Sequence, residues 1–322
     1  MAPQHPSPKP DPVISTDRLS VSFSGCDALR QVDLQVPVGT VFALLGENGA
    51  GKTTLIRALT GFLHPTSGSC RVLGLDPVVD ALAIRRRVGY VADAPALYDW
   101  MRVGEIGWFA AAFYEDGFLD RYRQSIAHYE VPEERKVRHL SKGQRAKVAL
   151  ALALAHDPEL LILDEPTSGL DPLVRREFLE SMLDRVATGR TVLLSSHQIA
   201  EVERVADTVA ILHQGKFRVI DSLAHLRETI SEVTISLDDP LVELPSLEPP
   251  AQVMSDQLEG RQRRLIVRGA DEELLQQLRS RPGISGVRRR SATLDELFAA
   301  CVRGKSDWSL QDGKDSGVAE VA

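Results

Sequence analysis

Between Val41 and Thr54 the chain reads Val-Phe-Ala-Leu-Leu, then Gly46-Glu47-Asn48-Gly49-Ala50-Gly51, then Lys52-Thr53-Thr54. No other stretch limits so closely what this chain can fold into. Five apolar residues without polar alternation describe a strand covered on both faces. Three glycines in six residues let successive backbone N–H groups turn inward as an anion nest. The helix expected from Thr54 to Thr60 aims its positive end at the same point. Gly46, four intervening residues, Gly51, Lys52 and Thr53 match the phosphate-binding loop signature in full. Lys52 then reaches the outer phosphates of a nucleotide, and the Thr53 hydroxyl ligates Mg2+.

Four further apolar runs resemble the first: Val88–Val91, Leu160–Leu163, Val192–Leu194 and Val209–Leu212. Helical patterns separate them, which predicts a parallel α/β sheet. Leu19, Val21 and Phe23, and then Val32, Leu34 and Val36, alternate with polar neighbours and predict two half-solvated strands. Residues 94–157 are read as a helical insertion, with Val103, Ile106, Phe109 and Phe113 at helical spacing. A second, smaller α+β domain is expected over 223–303. Its short strands fall at Val233–Leu237, Leu265–Val267 and Val287, and its helices at Asp271–Arg279 and Thr293–Val302. Asp239–Gln252, rich in proline, reads as a loop. Prolines at 3, 6, 8, 10 and 12 make residues 1–14 an extended leader, and the polar residues 304–322 read as a disordered tail.

Composition removes several classes. A formal charge of −7 gives no global attraction to nucleic acid or anionic lipid. Three widely separated cysteines, Cys26, Cys70 and Cys301, fit neither a disulfide framework nor a metal cluster, and a reducing cytosol is the expectation. The longest apolar run, Val148–Ala155, is far short of the roughly 20 residues that span a bilayer. The proline-rich start does not resemble a secretory signal. Any membrane-embedded part is therefore expected on another chain.

Two other constellations carry chemistry. Leu160-Leu161-Ile162-Leu163-Asp164-Glu165 is a buried strand ending in two carboxylates, with Asp164 suited to hold Mg2+ through water and Glu165 to face an attacking water. A base so placed contributes about 10²- to 10⁴-fold. The Asn-Lys-x-Asp element by which GTPases read guanine does not occur, so ATP is favoured over GTP. Leu140-Ser141-Lys142-Gly143-Gln144 contains a capping box, Ser141 with Gln144, which opens a helix with free N–H groups and offers a second anion site.

These parts, in this order, resemble the ATP-binding cassette (ABC) ATPases of transporters over residues 15–222. The stretch Gly46, Glu47, Asn48, Gly49, Ala50, Gly51, Lys52, Thr53 and Thr54 is similar to the Walker A loop, and Leu140–Gln144 to the signature. Leu160–Glu165 is similar to Walker B, Ser168–Asp171 to the D-loop, and His197 after Ser195-Ser196 to the switch histidine. The resemblance implies a P-loop NTPase fold, with a RecA-like parallel sheet, an antiparallel β subdomain and a helical insertion. It implies ATP and Mg2+ as ligands and catalytic roles for Glu165 and His197. It further implies a head-to-tail dimer in which ATP lies between one subunit's Walker A and the other's Ser141, Gly143 and Gln144. With a single cassette in the chain, the expected partners are a second such subunit, most simply a copy of this chain, and transmembrane permease subunits; no nucleic acid is expected. The chain would then act at the cytoplasmic face of the membrane, held there through the permease.

Departures from the family pattern are specific. Phe23 stands where a tyrosine usually stacks on adenine. Asp93 stands where a glutamine usually senses Mg2+ and the permease, and adds negative charge near Asp164 and Glu165. Lys142 replaces a commoner glycine and is similar to cassettes of the drug, antibiotic and polysaccharide exporter type. Thr293-Leu294-Asp295-Glu296-Leu297-Phe298 is similar to an ending found in drug and antibiotic exporter cassettes. Tyr98, Trp100, Trp108 and Phe113 are expected mainly in the core, with an exposed Trp100 the sign of a docking groove. The arginine runs Arg85–Arg87 and Arg288–Arg290 are expected to be solvated. The alternative reading is a soluble ABC ATPase acting on ribosomes or DNA; such proteins usually carry two cassettes or a long coiled-coil insertion, and neither is present. A cassette that binds ATP without turnover is disfavoured by the intact Lys52, Asp164, Glu165 and His197.

Overall fold

A computed structural model describes residues 11–240, 242, 244, 249 and 251–303. The expected leader therefore lies outside the described residues up to position 10, as does all of the expected tail at 304–322. The chain divides into two compact units, one reaching Ala206 and including Gln214–Lys216, the other comprising Asp207–His213 and the chain from Phe217 onward.

The first unit begins with strands β1 (Ile14–Phe23), β2 (Cys26–Val36) and β3 (Val41–Leu45), then helix α1 (Lys52–Leu59), strand β4 (Ser67–Val72) and helix α2 (Ala81–Arg87). Strand β5 (Val88–Val91) leads into helices α3 (Val103–Ala111), α4 (Phe118–His128) and α5 (Lys142–Leu154). Strand β6 (Leu160–Asp164), helix α6 (Pro172–Ala187), strand β7 (Thr191–Ser196) and helix α7 (Ile199–Val205) complete it. Strands β2-β1-β4 form an antiparallel sheet in that order. Its alternation is visible in β2, where Val32, Leu34 and Val36 are buried and Gln31, Asp33 and Gln35 exposed. β4 carries only two buried residues, Cys70 and Val72, too few to announce a strand in the sequence.

The strands β5-β6-β7-β3 lie side by side and parallel. Every residue of β3, β6 and β7 is buried, as continuous apolar runs require when helices cover both faces. Parallel register aligns Asp164 with Ser195 and Leu45 with Ser196, so the chemistry-bearing ends of three strands meet at one sheet edge.

Between β5 and β6 the helices α3, α4 and α5 pack around Phe118, Tyr122, Ile126 and Val148. The Tyr122 hydroxyl donates to the Val103 carbonyl at 2.8 Å. Its ring presses on Gly107, where a Cβ would fall 2.1 Å from the ring. The aromatics expected in the core are instead outside: Trp100, Trp108 and Phe113 are each more than 60% exposed. The reason is local. α3 buries Val103, Ile106 and Gly107, which turns Trp108 away, and the helix ends at Ala111, before Phe113.

The second unit holds strand β8 (Thr208–His213), strand β9 (Lys216–Ser222, its first residue shared with the other unit) and helix α8 (Leu223–Thr229). There follow strands β10 (Ile230–Leu237), β11 (Gln252–Glu259) and β12 (Gln262–Arg268), helix α9 (Glu272–Arg279), strand β13 (Ile284–Ser291) and helix α10 (Leu294–Arg303). The order β11-β12-β10-β13 is antiparallel throughout. Val233, Ile235 and Leu237 point to one face with Leu265 and Val267, and α9 covers them with Leu274, Leu275 and Leu278. Glu232, Thr234 and Ser236 share the other face with Arg264 and Arg288, around an open cleft of about 690 Å³.

The arginine runs face solvent as expected, Arg86 and Arg288 to Arg290 being exposed, and some members also pair. Arg87 grips Glu159 with two hydrogen bonds of 2.6 and 2.9 Å, and Arg85 lies 4.9 Å above the Phe62 ring. Arg290 bonds Glu232 at 2.6 Å and also Glu296, whose carboxyl this guanidinium pushes down to about 2.

Because Gly107 has no room for a side chain, Gly107→Ala is expected to destabilise the first unit by about 1–3 kcal/mol, the usual cost of overpacking. Chemical denaturation read by tryptophan fluorescence checks this; an unchanged midpoint would contradict the packing.

Candidate functional site

The site starts where β3 stops. Ala50 N–H donates to Glu47 O at 3.1 Å, and Gly49 and Gly51 take φ of +83° and +111°, conformations that side chains resist. Gly51 stands at the N-cap of α1 and, having no side chain, makes no side-chain bond to the first-turn N–H groups. Lys52, only 6% exposed, folds back into the loop. Its ammonium donates to Gly46 O at 2.6 Å and Glu47 O at 3.3 Å. It also lies 3.0 Å from Glu165 Oε1, as an ion pair without hydrogen-bond alignment.

Across the sheet edge, Asp164 is 2% exposed. The Ser195 hydroxyl donates to Asp164 Oδ1 at 2.6 Å and accepts from Glu165 N–H at 3.1 Å, so one side chain fixes both carboxylate residues. Burial, followed by the Asp164 charge, pushes the Tyr90 phenol up, with Arg57 opposing. Glu165 adopts φ +51°, a strained left-handed conformation for a residue with a side chain. This turns its carboxylate between two cationic or donor groups: Lys52 on Oε1 and, on Oε2, His197 Nδ1 at 2.7 Å and His197 N–H at 3.3 Å.

The structure thus brings together Gly46, Lys52, Asp164, Glu165 and His197. Thr53 and Glu47 to Gly49 are exposed beside them, Ala50 is buried, and Thr54 is half-buried. Phe23 is half exposed at the end of β1. Ser141 and Gln144 form the expected capping box, each at 3.1 Å, at the start of α5. Gly143 there faces Val174 of α6, and the Lys142 side chain lies over Gly169. Asp93 is exposed and lines a cleft of about 260 Å³ together with Lys142, Arg145 and Ser168. Sequence reasoning gave no role to Ser195, Thr167 or Glu201; a hydroxyl closing an apolar strand was the signal for Ser195 alone.

Hard oxygen donors suit Mg2+, which takes one or two carboxylates plus phosphate oxygens and water. The Asp164 carboxylate, bonded by Ser195 at Oδ1, and the Thr53 hydroxyl fit that requirement.

A parallel sheet whose glycine loop and buried lysine meet a strand-end Asp-Glu pair defines a phosphate-loop nucleotide-binding protein. Residues 29–168 match the ABC transporter family profile. An uncharacterised ABC transporter ATP-binding protein of Nostoc sp. is 39% identical over 216 residues, 64% of this chain and 61% of the relative. The chain therefore spans less than two thirds of that relative's length. A daunorubicin resistance ATP-binding protein of Streptomyces coeruleorubidus is 35% identical, over 64% of this chain and 67% of the relative. The solved ATP-binding subunit of an ABC transporter superposes with a TM-score of 0.63 at 31% identity, covering 67% of this chain and 92% of that one. The chain belongs to the ABC transporter ATP-binding family.

Ser195→Ala leaves the buried Asp164 carboxylate short of a partner, while the Glu165 N–H keeps the Ser195 carbonyl at 3.1 Å. A loss of about 1–3 kcal/mol is expected, the cost of an unsatisfied buried polar group. Denaturant titration of the variant checks it, and wild-type stability would mean that the bridge contributes nothing.

Proposed function

We propose that this chain binds and hydrolyses MgATP and drives a transporter, acting as an exporter through a separate transmembrane subunit. One observation carries the reading: Glu165 stands between Lys52 and His197 at the mouth of the glycine loop. A triphosphate seated on the N–H groups of Gly49 to Thr54 competes with Glu165 for the Lys52 ammonium. Released from that ion pair, Glu165 turns to water and acts as general base on it. His197, through its ring, holds the γ-phosphate and the base in mutual register. Mg2+, when bound, neutralises developing phosphate charge; Thr53 and Asp164 would hold it, with Asp93 nearby in the role usually taken by glutamine. Phe23 offers a phenyl face to adenine.

The second half of the site is proposed to come from a second subunit, most simply another copy of this chain. The α5 N-terminus, with Ser141, Gly143 and Gln144, supplies free N–H groups to the γ-phosphate bound on the mate. The proposed permease contact is the aromatic surface of the helical insertion. Tyr98 lies 6.1 Å from Trp100 and 5.9 Å from Phe109, which lies 5.5 Å from Phe113, all on the outside. Contiguous exposed aromatics of this kind mark protein docking sites. No helix among the described residues is long and apolar enough to cross a membrane, in keeping with a separate membrane subunit. Attachment at the cytoplasmic membrane face follows from that pairing. The daunorubicin resistance relative supports export as the direction. The rival reading, a soluble ABC ATPase working on ribosomes or DNA, gains nothing from a net charge of −7.

Glu165→Gln should lower ATP turnover by about 10²- to 10⁴-fold while nucleotide binding persists; robust turnover by this variant would reject the base assignment. Co-purification from membranes separates the two functional readings. The chain is expected with an integral membrane protein, and Trp100→Asp is expected to lose it; recovery with ribosomes in place of a membrane subunit contradicts the transporter role.

A further inference from the structure

Immediately after Glu165 the chain turns through Pro166, Thr167, Ser168 and Gly169 before α6. Ser168 N–H donates to Glu165 O and Leu170 N–H to Thr167 O, each at 3.1 Å. Ser195, whose carbonyl and hydroxyl both accept from Glu165 N–H at 3.1 Å, restrains the left-handed glutamate from the strand side. A second restraint lies beneath the turn. Thr167 is 1% exposed, and its hydroxyl donates to Glu201 Oε2 at 2.6 Å. Glu201, itself only 4% exposed, belongs to α7 and follows His197 by four residues. Its other oxygen, Oε1, faces Arg175 Nε at 3.1 Å without hydrogen-bond alignment. Arg175 in turn donates to Leu170 O at 3.2 Å, at the far end of the same turn.

We propose that Glu201 and Thr167 are positioning residues: their buried hydrogen bond fixes the turn behind Glu165 to the helix behind His197, and so sets the geometry of the base. The inference rests on the proposed hydrolytic reading of the site. Its physical ground is cost. A buried carboxylate with one aligned hydrogen bond and one misaligned ion pair is expensive, and well-packed apolar side chains would serve stability as well or better. What the directional hydrogen bond adds is a fixed distance and angle between two separate chain segments. Here those segments are the ones bearing Glu165 and His197, whose side chains meet at 2.7 Å.

The test is steady-state ATP hydrolysis by the full chain, with nucleotide binding and thermal unfolding measured on the same samples. Thr167→Val keeps the shape and deletes the hydroxyl. It is expected to lower kcat about tenfold or more, since misplacements of about 1 Å carry such penalties. ATP affinity should stay within about twofold, because the Thr167 hydroxyl bonds Glu201 rather than the glycine loop. Thr167→Ser, which restores the donor, should recover most of kcat. Glu201→Gln should also lower kcat, and the double variant should lose little beyond either single change, the non-additivity of one shared bond. Wild-type kcat in Thr167→Val, or a loss shared equally by Thr167→Ser, overturns the inference while leaving the ATPase reading intact. A kcat that falls only in proportion to folded protein overturns it as well, by assigning the pair to stability. A wild-type chain inert toward ATP overturns the functional reading and this inference with it.

Discussion

A lysine ammonium with almost no exposed surface must be surrounded by oxygen, and that requirement organises the first unit. Lys52 obtains its oxygens from two loop carbonyls and from Glu165. The carbonyls are within reach because glycines let the loop curl around the ammonium. Glu165 is within reach because β3, β7 and β6 are neighbours in parallel register and end at one edge. The same register sets Ser195 against Asp164 and presents His197 to Glu165. Remove the parallel order, and the lysine would be a buried charge without a counter-charge, a state costing several kcal/mol. Fold and site are in this sense one constraint seen twice.

That constraint also gives the site its chemical tension. Lys52 and Glu165 are paired with each other, and in the proposed mechanism a bound phosphate and an attacking water draw them apart. The left-handed backbone at Glu165 keeps the carboxylate poised between lysine and histidine rather than collapsed onto either. Strain of this kind persists only where surrounding structure over-determines it. The Ser195 bridge on one side and the Thr167–Glu201 bond on the other supply that determination.

Much of this was legible in the sequence, for local reasons. Buried parallel strands announce themselves as short apolar runs, and the glycine loop, the Asp164-Glu165 pair and the Ser141 capping box are contiguous patterns whose physics needs no distant partner. What was hidden depends on distance along the chain or on weak alternation. β4 and β11 are edge strands with few buried residues, and their sequences carry little signal. Glu201 and Thr167 are 34 positions apart and look like surface and turn residues until the fold buries them together. The aromatics of the insertion misled for the opposite reason: large apolar residues usually belong inside, and here Trp100, Trp108 and Phe113 are outside. The arginine runs face solvent as their sequence suggests, but the carboxylate partners of Arg87 and Arg290, Glu159 and Glu232, lie far away in sequence and were not legible.

The central idea is that a nucleotide held on one chain's glycine loop is completed by the serine-capped helix of another. Sedimentation of the Glu165→Gln chain, with and without MgATP, measures this directly. The expected result is a monomer that becomes a dimer on adding ATP, and a monomer still when Ser141→Arg is added, with nucleotide still bound. An ATP-dependent dimer that forms equally well with arginine at position 141, or none at all with ATP bound, would contradict it.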